Sequence, residues 1–419
     1  MNLGVSKSEI TLGEQVTLQS GYAFSSELFS ENGVKLITPK NFTKTGRASF
    51  TVSNTKYTTE GVDAKYICEK GDLLMLLTDL TPDCRLLGKP ALLESAEEVL
   101  LNQRIIKVNI NDNSDLDKGY LLQYLLTDKW NRRMRVTATG TTVRHSSNKI
   151  VLSTKLVVPP IPEQQKIASF LSRVDEKIAL LTEKKDKLAE YKKGVMQQLF
   201  NGRWEEQDGQ LTFVPPTLRF KADDGSEFPD WEEKKLGSLA DLTSSKRVYL
   251  SDYSEDGVPF FRGKEISEIR KGIIPDDVLY ITRKAFEEFK SKYGAPVEGD
   301  ILVTAVGTLA NILRVTGEFE FYFKDGNLIW LRKPRCDSKF LSILMEANKH
   351  ELLKTAIGSS QKALTIVELK KIVFKMPSLE EQQKITMFLS SLEEKVRLAN
   401  SELEKAKEWK KGLLQQMFV

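Results

Sequence analysis

Hydrophobic positions recur at helical spacing in two long segments of the chain. In residues 163–200 apolar side chains repeat at alternating steps of four and three, and residues 381–418 repeat the pattern. This spacing is typical of a helix that buries a narrow stripe against another helix. The predicted stripes consist of Ile167, Leu171, Val174, Ile178, Leu181, Leu188, Val195 and Leu199, and of Ile385, Leu389, Leu392, Val396, Ala399, Leu403, Ala406, Leu413 and Met417.

Each segment is predicted to form one continuous helix. No proline or glycine interrupts them before Gly194 and Gly412, which gives a length of about 55 Å at about 1.5 Å per residue. Lys185, Lys192 and Lys410 occupy stripe positions, where their aliphatic stems can cover the seam. Helices on single domains average about a dozen residues, so helices this long need a long partner. The alternative is that each helix packs separately on its own domain.

The two segments are copies of each other. They align without a gap at an offset of 218 and are identical at 19 of 38 positions. The regions that precede them share only short anchors. These are Leu12-Gly13 with Leu236-Gly237, Gly71-Asp72-Leu73-Leu74 with Gly299-Asp300-Ile301-Leu302, and Gly140 with Gly358. A duplication at this spacing indicates two units, each a globular segment followed by a long helix.

These patterns predict an α+β protein in which two α/β domains are joined by two long helices. Related units that pair through a self-complementary element normally use a two-fold axis, so we expect an antiparallel coiled coil with internal pseudo-two-fold symmetry. The predicted parts are a first domain at 1–158, a central helix at 159–200, a linker and second domain at 201–375, and a C-terminal helix at 376–419. The helices repeat one structure, whereas the domains adapt one architecture to two targets.

Composition narrows the class of protein. The 419 residues, 40% hydrophobic and 29% charged, are enough for two soluble domains with their own cores. The formal net charge of +4 does not by itself indicate a nucleic-acid binder. We expect no signal peptide, because the first thirty residues lack a basic start followed by an apolar run, and no membrane span, because no run of 18 apolar residues occurs. The expected location is therefore the cytoplasm. Cys68, Cys84 and Cys336 are too scattered for a disulfide framework or a metal site.

Motifs that indicate catalysis are absent from the sequence. There is neither a G-x-x-x-x-G-K-[ST] nucleotide loop nor a G-x-G-x-x-G dinucleotide turn. With His145 and His350 as the two histidines, neither a zinc-protease motif nor a Ser-His-Asp set can be drawn. The Asn/Asp-Pro-Pro-aromatic motif of adenine methyltransferases is also absent. We therefore predict a non-catalytic chain with no metal or cofactor of its own.

Motifs at both ends of the helices carry a resemblance to a known family. Residues 157–167 (VVPPIPEQQKI) and 375–385 (KMPSLEEQQKI) open the helices, and both helices end in K-K-G-x-x-Q-Q-x-F. They resemble the specificity subunits of type I restriction–modification enzymes, which alternate recognition domain and spacer helix twice, as this whole chain does. Residues 218–220 and 228–231 are similar to the usual start of a recognition domain. The first copy departs from that pattern, since no Pro-x-x-Trp precedes Leu12-Gly13.

The resemblance implies a function in defence against phage. Each recognition domain would read one half of a split, asymmetric sequence in double-stranded DNA, and the helices would fix the length of the unread spacer. Two modification subunits, which bind S-adenosylmethionine and methylate adenine, would dock on this chain. Restriction subunits, which use ATP and Mg²⁺ to translocate and cleave DNA, would join them.

Candidate DNA contacts are basic clusters and the polar stretch led by glycine before each helix. Arginine and lysine can hold phosphates, and Ser, Thr, Asn and Gln can also reach base edges. The alternatives are solvated surface for the clusters and plain connecting loops for the stretches. The candidates are Asn41, Lys44, Arg47, Lys129, Arg132, Arg133, Arg135, Thr141, Thr142, Arg144 and Ser146 in the first domain, and Lys246, Arg247, Arg262, Lys264, Ser359, Ser360, Gln361 and Lys362 in the second.

Eight glutamines recur at identical positions of the two helices. Recurrence suggests a surface that is used twice, and the duplicated modification subunit is its expected user. Equally, these side chains could cap or bridge the coiled coil. They are Gln164, Gln165, Gln197 and Gln198, repeated as Gln382, Gln383, Gln415 and Gln416.

Two other classes of function are compatible with the sequence. One is a coiled-coil scaffold that binds proteins and not DNA, which tight and salt-sensitive duplex binding would exclude. The other is an enzyme with an unrecognised site, which would modify or cut DNA without partner subunits.

Overall fold

The computed structural model describes residues 7–81, 83–141, 143–201, 203–207, 210–214, 218–317, 319–359 and 361–418. The chain divides into two compact units. The first unit comprises Met1–Lys184 and Ala399–Val419, and the second comprises Lys185–Leu398. Each unit therefore contains one globular region and one half of each long helix.

The globular region of the first unit is built from thirteen described strands and four short helices. The strands are β1 (Ser8–Thr11), β2 (Val16–Ser20), β3 (Phe29–Ser30), β4 (Val34–Ile37), β5 (Lys56–Thr58), β6 (Ile67–Cys68), β7 (Leu73–Leu76), β8 (Thr78–Asp79), β9 (Pro90–Leu92), β10 (Val99–Leu101), β11 (Ile105–Ile110), β12 (Arg144–His145) and β13 (Lys155–Val158). The helices are α1 (Leu12–Gln15), α2 (Lys118–Leu125), α3 (Asp128–Val136) and α4 (Asn148–Leu152), with 3₁₀ turns at Ser26–Leu28, Pro39–Asn41 and Ala64–Tyr66.

Two sheets form the core of this unit. One is antiparallel in the order β2-β11-β7-β9, and the other has the order β3-β5-β4-β10-β6 with β4 and β10 parallel. All four side chains of strand β7 are buried, and successive ones point to opposite faces of the sheet. Leu73 and Met75 enter one hydrophobic cluster, whereas Leu74 and Leu76 enter another. This uninterrupted apolar strand joins the two cores of the unit.

The second unit has the same framework with additional helices. After the first long helix, α5 (Ile161–Phe200), its described strands are β14 (Arg203–Gln207), β15 (Gln210–Val214), β16 (Glu232–Lys235), β17 (Asp241–Thr243), β18 (Tyr253–Ser254), β19 (Val258–Phe261), β20 (Leu279–Ile281), β21 (Ile301–Thr304), β22 (Ile312–Arg314), β23 (Tyr322–Phe323), β24 (Leu328–Arg332) and β25 (Val373–Met376). Its helices are α6 (Leu236–Leu239), α7 (Gly263–Arg270), α8 (Arg283–Tyr293), α9 (Ser338–Ala347), α10 (Lys349–Lys354) and α11 (Ile366–Lys371), with a 3₁₀ turn at Leu250–Asp252, and α12 (Leu379–Met417) follows.

The anchors shared by the two halves of the sequence mark equivalent places in this framework. The sheet β17-β24-β21-β22 repeats β2-β11-β7-β9, and β18-β20-β19-β23 repeats β3-β5-β4-β10. The N–H of Leu12 donates to the Thr154 carbonyl at 2.9 Å, and the N–H of Leu236 donates to the Ile372 carbonyl at 2.8 Å. One architecture is therefore built twice, and α7 and α8 are additions to the second copy.

The long helices are continuous and pair in antiparallel fashion within each unit. In the first unit Asp175 contacts Lys410 at 2.6 Å and Lys184 contacts Glu402 at 3.2 Å, so residue numbers rise along one helix as they fall along the other. The predicted stripe lies at this contact. Val174, Ile178 and Leu403 form one cluster, and Val195, Leu199, Ile385, Leu389 and Leu392 enter the core of the second unit. Burial of each such side chain contributes about 1.5–3 kcal/mol.

The predicted fold class is confirmed: two α/β domains are combined with two long antiparallel helices. The alternative in which each helix packs separately on its own domain is wrong, because the two helices share a hydrophobic seam. Among the described residues, no helix is both long and apolar enough to cross a membrane.

Candidate nucleic-acid interface

Helix α3 buries one face in the core of the first unit and exposes arginines on the other face. Trp130 and Met134, one turn apart, are fully buried, and the Trp130 indole N–H donates to the Gly88 carbonyl at 2.7 Å. Thr127 caps the helix by accepting the N–H of Trp130. Burial of this face leaves Arg132 and Arg135 exposed on the other. Helix α3 thus carries two exposed guanidinium groups.

Three arginines meet in one cleft of the first unit, which we call the guanidinium cleft. It has a volume of about 530 Å³ and is lined by Asp83, Cys84, Asp128, Asn131, Arg132, Arg135, Val136 and Arg144. No described carboxylate forms an ion pair with Arg132 or Arg135. Asp83 pairs with Arg85 outside the cleft, and Asp128 lies 3.7 Å from Lys411. The cleft therefore has an uncompensated positive charge that favours an anion.

A tight loop led by Gly140 borders this cleft. Thr139 and His145 exchange both backbone hydrogen bonds, at 2.9 and 2.8 Å. Gly140 has a φ of +97°, and a Cβ there would lie 2.2 Å from the Val143 carbonyl oxygen. Position 140 therefore excludes other residues. The Arg144 guanidinium donates a hydrogen bond to the Gly140 carbonyl at 3.0 Å.

The predicted polar residues of this loop differ in their environment. Thr141 is exposed, whereas Ser146 is half-buried and its hydroxyl has no hydrogen-bond partner among the described residues. Thr142 lies outside the described residues. The loop therefore offers Thr141 and the Arg144 guanidinium to a ligand.

The second unit repeats the loop at the same offset of 218. Ile357 and Ala363 exchange backbone hydrogen bonds at 2.9 and 2.8 Å, as Thr139 and His145 do. Gly358 has a φ of +116°, and a Cβ there would lie 2.3 Å from the carbonyl oxygen of Gln361. Ser359, Gln361 and Lys362 are exposed on it, and Ser360 lies outside the described residues. The two loops share the closing hydrogen bonds and the positive-φ glycine, and they differ in their side chains.

Three candidates in residues 38–47 do not form a common surface. Asn41 is fully buried, accepts the Thr38 N–H at 2.8 Å and donates to the Ser49 carbonyl at 3.2 Å, so its assignment as a DNA contact is wrong. Arg47 pairs with Glu94, and this hydrogen bond raises the pKa of the guanidinium. Lys44 is exposed and lines a separate cavity of about 690 Å³ that Lys129 also lines.

Arg133 is directed inward from the same helix as its neighbours. Its Nε–H donates to the Thr154 hydroxyl at 3.0 Å. That bond ties α3 to the segment between α4 and β13. Arg133 is therefore less available to a ligand than Arg132 or Arg135.

Four basic candidates of the second unit, all outside the Gly358 loop, are engaged within the unit. Arg262 binds the buried Glu265, which raises the pKa of its guanidinium, and also approaches Asp277 at 3.6 Å. Lys264 lies 3.7 Å from Asp277. Arg247 pairs with Asp325 at 3.4 Å, and the Lys246 ammonium lies 5.0 Å from the ring centre of Tyr293. These four residues do not form an open cluster like the guanidinium cleft.

Comparison with known proteins identifies the family. Residues 5–190 and 229–408 match the type I restriction modification DNA specificity domain. The chain belongs to the family of type I restriction–modification specificity subunits. It is 27% identical over 382 residues to the MjaVIII specificity subunit of Methanocaldococcus jannaschii, covering 86% of this chain and 83% of that one. It is 22% identical over 411 residues to the EcoBI specificity subunit of Escherichia coli, covering 91% and 78%.

Solved structures show the same fold. The crystal structure of the type I S subunit from M. genitalium matches with a TM-score of 0.59 at 16% identity, covering 100% of this chain and 98% of that one. A chain from a structural study of complex assembly and conformational transition in the type I system matches with a TM-score of 0.56 at 17% identity, covering 98% and 97%.

Two of the recurrent glutamines of this specificity subunit hold its domains to its helices. Gln164 is fully buried, accepts the Asp117 N–H at 2.9 Å and donates to the carbonyls of Asp115 and Pro159, each at 2.8 Å. Asp117 caps α2. The assignment of Gln164 to a partner surface is therefore wrong, because its whole amide group is used inside the first unit.

Gln382 repeats this arrangement in the second unit. It accepts the N–H of Asp337, the capping residue of α9, at 3.0 Å and donates to the Pro377 carbonyl at 2.8 Å. Its assignment to a partner surface is also wrong, because the side chain is buried and both its amide oxygen and its amide nitrogen are engaged inside the second unit. The other six glutamines are exposed, namely Gln165, Gln197, Gln198, Gln383, Gln415 and Gln416.

Sequence reasoning missed Asn131, which lines the guanidinium cleft. Its position on α3, one residue before Arg132 and four before Arg135, is the signal that could have included it. In the described ranges, no group of three His, Cys, Asp or Glu side chains could hold a metal ion.

Proposed function

We propose that this specificity subunit binds double-stranded DNA and that each of its domains reads one half of a bipartite target. The guanidinium cleft supports this most directly, because Arg132 and Arg135 form no ion pair with any described carboxylate and lie beside the Gly140 loop. Two exposed arginines on one helix are suited to phosphates, which receive most protein–DNA hydrogen bonds. The side chains of the two loops are suited to base edges.

Different readouts from the two domains would follow from their different surfaces. The Gly140 and Gly358 loops share the same closing hydrogen bonds, but one presents Thr141 and Arg144 and the other presents Ser359, Gln361 and Lys362. A common frame with different tips suits two half-sites of different sequence.

The long helices would set the spacer and carry the partner subunits. The six exposed glutamines occur as three pairs related by the offset of 218. A protein that binds one set can bind the other by the same contacts, so we propose that two modification subunits dock there. Restriction subunits would complete the complex in the cytoplasm.

The chemistry would belong to the partners. The relatives reported above are specificity subunits, and we propose that this chain likewise is non-catalytic and has no cofactor. S-adenosylmethionine would bind the modification subunits, and ATP with Mg²⁺ would bind the restriction subunits. A scaffold that does not bind DNA finds no support among these relatives.

Methylation mapping tests this proposal. The chain would be co-expressed with the modification subunit of its host, and methylated adenines would be mapped on a plasmid library by single-molecule sequencing. We expect a split motif with a fixed gap, and replacement of residues 1–158 should change one half of it. A stable complex that methylates without any motif would overturn the proposal and leave the scaffold function.

A further inference from the structure

In the second unit, residues 218–231, which we call the opening segment, cover the start of α12. Glu381 on this helix is fully buried beneath the segment. Arg219 donates to both of its carboxylate oxygens, at 2.9 and 3.0 Å, and the Trp231 indole N–H donates at 3.0 Å. The bond to Glu381 raises the pKa of Arg219. A bidentate pair closed by an aromatic ring therefore holds the segment to the helix.

Two further contacts extend the same interface along α12. The ring of Phe220 lies 5.5 Å from that of Phe388, in an edge-on arrangement. The Lys384 ammonium donates to the Lys221 carbonyl at 2.7 Å and to Asp223 at 2.6 Å. Glu381, Lys384 and Phe388 thus form one face of α12, and the opening segment of the same chain occupies it.

Helix α5 carries the same three residue types at the offset of 218. They are Glu163, Lys166 and Phe170, and their spacing along the helix is identical. In the described part of the first unit, neither Glu163 nor Lys166 has a side-chain hydrogen bond or ion pair. Phe170 is 40% exposed, and its ring centre lies 6.0 Å from that of Trp409, which is 50% exposed, in an edge-to-face arrangement. The duplicated face is present without a described ligand.

The charge of Glu163 also acts on its surroundings. Burial, and then the negative charge of Glu163, raise the pKa of Tyr120 to about 12.

We infer that Glu163, Lys166 and Phe170 form a docking face for a partner chain that presents an arginine followed by an aromatic residue. Glu163 would bind the guanidinium, Phe170 the ring, and Lys166 a carbonyl or carboxylate a few residues further on. The basis is the second unit, where an identical trio binds Arg219, Phe220 and Asp223 in this way. The inference does not depend on which DNA sequence the chain reads.

A peptide with the sequence of residues 218–231 tests this directly. Labelled with fluorescein and added to the full-length chain, it should show saturable binding by fluorescence anisotropy. Glu163→Gln should raise its Kd by about tenfold or more, since a hydrogen bond between charged groups is lost. Exchange of the peptide's arginine for lysine should weaken binding similarly, because lysine cannot bind a carboxylate bidentately. Glu176→Gln, an exposed carboxylate elsewhere on α5, is the matched control and should leave the Kd unchanged.

Other outcomes overturn the inference. Absence of saturable binding, or equal binding by wild type and Glu163→Gln, means that the face accepts no such segment. Loss of binding in Glu381→Gln but not in Glu163→Gln means that the peptide exchanges at the occupied face, as the segment of a second copy would. Phe170→Ala, at an exposed position, tests the same face if Glu163→Gln fails to fold, and it should also raise the Kd.

Discussion

The ammonium group of Lys184 lies 3.2 Å from a carboxylate oxygen of Glu402, the residue that duplicates Lys184 at the offset of 218. An antiparallel pair of duplicated helices brings one position into contact with its own copy, and here the two copies have opposite charge. In the same register, two first helices would oppose lysine to lysine, and two second helices glutamate to glutamate. Exposed ion pairs contribute only about 0.2–1 kcal/mol to stability. This pair therefore contributes more to which helices pair with each other than to the stability of the protein.

Replacing Lys410 with methionine should destabilise the protein by about 3 kcal/mol. Lys410 and Asp175 are both buried, and among the described residues Asp175 would retain one hydrogen bond, from Gln123 at 3.1 Å. Removing one partner of a buried pair costs about 3–5 kcal/mol, and the adjoining cavity of about 690 Å³ admits water, which favours the lower value. Urea unfolding followed by circular dichroism measures the effect.

The duplicated position provides the control for this variant. Lys192 corresponds to Lys410 and pairs with Glu393 at 3.2 Å, but Glu393 is 66% exposed. Lys192→Met should therefore change the free energy of unfolding by less than about 1 kcal/mol. Equal losses at positions 192 and 410 would contradict the assigned difference in burial.

Gln164→Ala should cost about 2–3 kcal/mol in stability. The substitution leaves the Asp117 N–H and the Asp115 and Pro159 carbonyls without their partner at a buried site. Gln165→Ala, at the exposed neighbouring position, should change stability by less than about 0.5 kcal/mol. Urea unfolding compares the two. If Gln165→Ala were the more destabilising variant, the structural role of Gln164 would be refuted.

Arg132→Ala and Arg135→Ala should each weaken DNA binding by the complex with modification subunits. Loss of one phosphate contact lowers the slope of log affinity against log salt by about 0.9. Titrations between about 50 and 200 mM salt measure this slope. Arg133→Ala is the matched control on α3, because its guanidinium is engaged with Thr154, and its slope should match that of wild type. Unchanged slopes in all three variants would show that the DNA phosphates bind at residues other than these arginines of α3.

Gly194→Ala and Gly412→Ala should each stabilise the protein by about 0.5–1 kcal/mol. Both glycines lie within long helices, and a Cβ at either position meets no atom within 4 Å. Alanine restricts the unfolded chain and favours the helix. Thermal unfolding should show a higher Tm, whereas Gly140→Ala, at a φ of +97°, should lower it. A lower Tm for Gly194→Ala would show that position 194 contacts more than solvent.

Periodicity predicted the long helices well, because a long helix with a repeating apolar stripe buries that stripe by packing it against the stripe of another helix. Leu171, Ile178 and Leu403 are buried as the spacing indicated. The partner of each helix also followed from the sequence, since the duplicated segment is the one of matching length. Local and repetitive features of this kind require no knowledge of tertiary contacts.

The candidate site was less predictable because burial depends on contacts distant in sequence. Gln164 and Gln165 are adjacent and both recur, yet only Gln164 meets the capping residue of α2, 47 positions earlier. Asn41 is polar and lies in a basic stretch, but the turn at Pro39–Asn41 directs its amide inward. Recurrence pointed to the role that Gln164 and Gln382 share, without distinguishing a structural role from binding.

The matched loops at Gly140 and Gly358 separate the shape of a surface from its chemistry. The backbone bonds between Thr139 and His145 hold one tip, and those between Ile357 and Ala363 hold the other, whatever side chains lie between. Mutation can therefore vary each tip independently while the turn beneath it is inherited intact. A lineage of such proteins can diversify what it recognises at two places at once without evolving a new fold at either.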